Sequence, residues 1–71
     1  MNLAILLALK KSKLTESDAS KIILLSKNVK SLNLDFTGIA KVSKQFFIKL
    51  KELKKDVNIY NFKGEIYDES L

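Results

Sequence analysis

The side chains able to do chemistry are few: eight carboxylates, thirteen lysines and two tyrosines, with no histidine, cysteine, tryptophan or arginine among the 71 residues. Nucleophilic catalysis of the Ser-His or Cys-His kind has no base to draw on, and zinc or iron–sulfur centres lack their usual ligands. The carboxylates are scattered. Only Asp68 and Glu69 are adjacent, near the end of the chain, where fraying is a better reading than a poised acid/base pair. Asp35 closes an alternating stretch and projects onto a loop, the best single place for an active carboxylate, yet no second group accompanies it. The expectation is a protein that is not an enzyme and carries no cofactor or metal. The lack of cysteine removes disulfides and fits a reducing compartment, so a cytoplasmic location is expected.

The thirteen cations give a formal charge of +5. Because every one is lysine, the bidentate fork that reads guanine is missing, and only point charges for phosphates remain. Tyr60 and Phe62, two apart on a strand-like stretch, have the spacing of a base-stacking platform; covering the second face of a sheet is the commoner use of such a pair. An all-lysine basic set together with many Ile and Asn also fits an AT-rich genome, and a charge of this size ordinarily serves solubility. Nonspecific nucleic-acid binding is therefore a lesser expectation. The most apolar stretch, residues 3–9, is far shorter than the roughly 20 residues that cross a bilayer, and its lysines follow rather than precede it, unlike a signal peptide. No membrane partner is expected.

The elements that must position these groups follow from period and punctuation. Thr15-Glu16-Ser17-Asp18 has the form of a helix start, a capping Thr with an acid three residues later,. Ala19, Ile22, Ile23 and Ser26 then recur at helical spacing until about Asn28. Leu32, Leu34 and Phe36 alternate with Asn33 and Asp35, which predicts a strand, and Thr37-Gly38 breaks it. Val42, Phe46, Leu50 and Leu53 form the clearest helical stripe; Lys41, Lys44, Lys51 and Lys55 occupy the opposite arc, with Ile48 among them. Residues 57–62 alternate again as a strand, and residues 63–71 add a turn and a short strand or helix. Residues 3–9 suit a buried strand better than a helix, although their Ala-Leu composition allows both. Neither a domain linker nor an internal repeat is visible. The predicted fold is α/β, one small domain, βαβαβ-like with a mainly parallel sheet and two helices.

At Leu34-Asp35-Phe36-Thr37-Gly38-Ile39, followed by Val42 and Phe46, the chain resembles STAS-like proteins, the superfamily of anti-sigma-factor antagonists. The resemblance covers residues 14–62 in element order and implies a non-enzymatic regulator that docks onto an ATP-binding, kinase-like partner through the loop after the motif strand and the helix beyond it. Many members carry a phosphorylated Ser at the start of that helix. Here the corresponding position is held by Gln45 or Lys44, neither of which accepts phosphate in that chemistry, and the nearest hydroxyl, Ser43, is readable as phosphosite or as helix cap.

With 46% apolar residues and one small core at most,, function must lie on the outside of the fold. The expected docking surface comprises Thr37, Lys41, Ser43, Lys44, Ile48 and Lys51, an apolar centre in a charged rim. Its expected occupant is another protein, either an ATP-binding regulator or, if the chain is a phage or mobile-element inhibitor, a host defence nuclease complex blocked by occlusion. A homodimer that buries the apolar first segment is a further expected partner.

Overall fold

Strand pairing in this chain is entirely parallel, and that sets its architecture. The computed structural model describes all residues 1–71. The elements in order are β1 (Asn2–Ala4), α1 (Ile5–Leu9), β2 (Lys13–Leu14), α2 (Glu16–Leu25), β3 (Leu32–Asp35), β4 (Lys41–Ser43), α3 (Lys44–Leu53), β5 (Val57–Tyr60) and β6 (Glu65–Tyr67). One sheet has the order β1-β3-β5 and a second the order β2-β4-β6. Asn2, Asn33 and Asn58 are register partners in the first sheet. Leu14, Val42 and Ile66 are partners in the second. The chain therefore winds through three turns, each laying one strand on each sheet, with α2 and α3 packed together outside.

The α/β class and the parallel pairing are as the sequence implies. Four details differ. The strands divide between two sheets rather than one. There are three helices rather than two, because residues 3–9 split: β1 ends at Ala4 and a single helical turn follows, closed by Lys10 in the left-handed region (φ 57°), whose N–H donates to the Leu6 carbonyl. That run is also not uniformly buried. Ile5 is fully enclosed, whereas Leu7 is 77% exposed. Lys41 and Val42 belong to β4, and the helix begins only at Lys44. Val42 sits four residues before Phe46 and so mimics the helical stripe, but its burial comes from the second sheet.

The core is a cluster of eleven apolar residues lying between the sheets and the helix pair. All four phenylalanines meet in or beside it: the Phe36 ring lies 6.1 Å from Phe46, 6.0 Å from Phe47 and 5.4 Å from Phe62. Asn61 explains how Phe62 reaches this cluster. Its positive φ of 61°, tolerable for Asn, breaks the alternation of β5, so that Phe62 turns inward while Tyr60 stays outside. Tyr60 and Phe62 thus share no face of the sheet, either as a stacking platform or as cover for its second face.

Helix α2 starts as its sequence suggests: the Asp18 carboxylate accepts from the Thr15 N–H at 2.8 Å. Its carboxylate is fully buried and ion-paired to Lys11 at 2.9 Å, with Lys21 at 3.7 Å. Burial alone would push this carboxyl up, but the hydrogen bonds from Thr15 and Lys11 and the charges of Lys11 and Lys21 outweigh it and hold it below the usual carboxylate range,. Stability contributed by a carboxyl depressed in the folded state is complete above its unfolded value of about 3.9 and is lost as pH falls through the folded value. Urea unfolding at a series of pH values should therefore show stability falling below about pH 4, and Asp18→Asn should flatten that fall; an unchanged profile would assign the acid sensitivity to other carboxyls. At the far end of α2, the Lys54 ammonium donates to the carbonyls of Ser26, at 3.0 Å, and Val29. A cation there satisfies acceptors that the helix end leaves open.

Candidate interaction surface

Helix α3 positions the central residues. The Ser43 hydroxyl accepts from the Phe46 N–H at 3.0 Å, which sets the helix start and aims Phe46 and Leu50 into the core. With those two enclosed, residues 44, 48 and 51 share the outward face. Lys44 and Lys51 are exposed and Ile48 is 53% exposed. Phe47, at the edge of the buried stripe, is half-buried against Phe36 and Phe46.

The other expected members lie elsewhere. Lys41 is exposed on β4, in register between Lys13 and Glu65. Thr37 is exposed in the turn after β3. Ser43 leaves the surface altogether: it is fully buried, and its hydroxyl is spent on the helix cap. A phosphoryl group would require that cap to open. Of the six residues, then, Lys44, Ile48 and Lys51 form one continuous ridge.

Asp35 is occupied in holding a turn. Its Oδ1 accepts from the Thr37 hydroxyl at 2.7 Å, the Thr37 N–H at 3.0 Å and the Asn61 side chain at 3.1 Å, and these donors hold its carboxyl below the ordinary range,. All three donors converge on its Oδ1. A shallow cleft of about 270 Å³ opens beside it, lined by Phe36, Thr37, Gly38, Ile39, Asn61 and Lys63; its one hydroxyl, that of Thr37, is the one that donates to Asp35.

The contacts of the acidic end were not foreseeable from period or composition. Asp68 pairs with Lys44 at 3.1 Å and accepts from the Gln45 side chain at 2.7 Å. Glu69 accepts from the Glu16 N–H at 2.8 Å, and its own N–H donates to Gln45 Oε1 at 3.1 Å. Hydrogen bonds from Ser70 and Gln45, with the Lys44 ion pair, keep the Asp68 carboxyl far below the usual range. The last residues thus lie across the first turns of both α2 and α3, where helix dipoles favour negative charge. The only signal in the sequence was the sign of that charge.

No helix is long and apolar enough to cross a membrane. No protein-family model, curated protein or solved structure matches the chain.

Proposed function

We propose that the protein is a small, non-enzymatic, cytoplasmic regulatory module that docks onto another protein through the outward face of α3, as its resemblance to STAS-like anti-sigma-factor antagonists implies. The observation that carries this reading is Ile48, 53% exposed on a helix whose Phe46 and Leu50 are buried. Exposed lysines stand four residues before it and three after it on the same face. An apolar centre in a charged rim is what a docking patch needs. The chain runs from strand β3 through the turn at Thr37-Gly38 and the short strand β4 into helix α3 and strand β5; apart from the inserted β4, this is the order the resemblance implies. The implied partner is an ATP-binding regulator. Occlusion of a host nuclease complex uses the same ridge and differs only in the occupant. Since Ser43 is a buried cap, release by phosphorylation at that position is not part of the proposal.

Ile48→Asp should abolish recovery of the partner in an affinity pull-down while changing stability by less than about 1 kcal/mol, because the side chain is half in solvent already. Joint reversal of Lys44 and Lys51 to Glu should also abolish recovery, with an added loss of stability because Lys44 pairs with Asp68. A complex that survives both changes refutes the assignment of the surface. If the protein instead binds DNA at low salt, with a slope that drops when Lys44 and Lys51 are neutralised and no response to Ile48→Asp, the ridge reads phosphates rather than a protein.

A further inference from the structure

At its β5/β6 end the three-turn winding leaves both of its inner rows exposed. Leu3, Leu34 and Ile59 are register partners in one sheet and Leu14, Val42 and Ile66 in the other. Leu34 and Val42, in the middle turn, and Leu14, in the first, are fully buried, whereas Ile59 and Ile66 are 39% and 60% exposed. Strands β5 and β6 are also the unpaired edges of their sheets at that end, as β1 and β2 are at the other. Open edges backed by apolar rows are templates for adding another strand.

Two features give these edges a direction. On the outer face of the first sheet the Asn33 amide donates to Asn2 Oδ1 at 2.8 Å and the Asn58 amide donates to Asn33 Oδ1 at 3.0 Å. This ladder ends with a free acceptor on Asn58 and begins with a free donor on Asn2. In the second sheet, Lys13, Lys41 and Glu65 are register partners. The first end of that row is positive and the last is negative. Opposite charges facing across paired strands attract and like charges repel.

We propose that the β5/β6 end of one molecule docks onto the β1/β2 end of a second copy, head to tail, in parallel pairing. Asn2 of the incoming copy then donates to Asn58, Leu3 covers Ile59, and Lys13 faces Glu65, while Leu14 stays enclosed in its own copy. A two-fold, tail-to-tail contact would instead bring two copies of the same negative end together, with no complementary lysine end between them. The head-to-tail contact is heterologous and does not close on itself, so association continues beyond the dimer. It leaves the α3 ridge free, and stands or falls independently of the function proposed above.

Sedimentation velocity over a concentration series tests this. The weight-average mass should rise past that of a dimer. Glu65→Lys and Lys13→Glu, both at exposed positions, should each weaken association roughly tenfold or more, and an equimolar mixture of the two variants should restore it, because each then offers the other a complementary end. Ile66→Lys should weaken it through the apolar row. A monomer at every concentration up to about 1 mM, association that stops at a dimer, or association indifferent to Lys13→Glu would each overturn the proposal.

Discussion

Truncating Phe46 to alanine should remove about 3–5 kcal/mol of stability, against a total of about 5–15 kcal/mol for a folded domain. For a chain this short the total belongs near the low end of that range, so the variant should be largely unfolded at room temperature. The size of the effect comes from position. The ring is fully buried and meets Phe36 edge-on at 6.1 Å and Phe47 at 5.5 Å. It is also the residue whose N–H the Ser43 cap receives. Loss of the ring removes one of the two aromatic contacts that join α3 to the end of β3, the other being Phe47 on Phe36, and leaves a void in the core that its surroundings close only in part. Urea unfolding followed by circular dichroism measures it directly, with Ile48→Ala as the control on the opposite face, expected within about 0.5 kcal/mol of the parent. Equal losses for the two would mean that the helix is oriented differently from the arrangement described.

That contrast also shows which parts of the fold were legible. Phe46, Leu50, Ile48 and the lysines beside it were readable because ten helical residues offer nearly three turns of period. Asp18 and Ser43 were readable as caps because their chemistry is local. The strands of the second sheet were not. Each of β2, β4 and β6 has two or three residues, too few for alternation to register, and Val42 happens to fall on the helical stripe of the element that follows. The threefold winding was hidden for another reason: the chain distance between register partners changes from Asn2–Asn33 to Asn33–Asn58 and from Leu14–Val42 to Val42–Ile66. Helices and corners of unequal length absorb the difference, so stacking repeats in space without repeating in sequence. Phe62 was assigned to the wrong face because a single left-handed residue, Asn61, reverses the alternation, and nothing in the residue type demands that conformation. The tail contacts of Asp68 and Glu69 need the chain to return to the first turns of both helices, which only the completed winding decides.

Gly64→Ala should be the second most damaging change, costing about 1–3 kcal/mol through overpacking. The reason lies in how successive corners stack. A Cβ at Gly64 would stand 2.7 Å from the Ile39 carbonyl oxygen and closer still to that of Ala40. Those atoms are backbone, held by the neighbouring turn, and cannot swing aside as a side-chain tip could. The Ala40 oxygen is also the acceptor of the Glu65 N–H at 2.9 Å, the bond that starts β6 on its pairing with β4. A methyl group there pushes β6 outward, and with it go the Tyr67 hydroxyl bond to the Leu14 carbonyl at 2.9 Å and the Asp68 and Glu69 contacts beyond. Gly38 makes the useful comparison. Its φ of +81° disfavours any side chain, but the atom in the way is the flexible Leu6 Cδ2 at 2.7 Å, so Gly38→Ala should cost about 1–2 kcal/mol, chiefly from the backbone conformation. Hydrogen exchange separates the two. Gly64→Ala should expose the amides of Glu65 and Glu69 while those of β3 keep their protection, whereas Gly38→Ala should leave β6 protected. A Gly64→Ala variant as stable as the parent, with β6 still protected, would contradict the stacking of the third corner against the second.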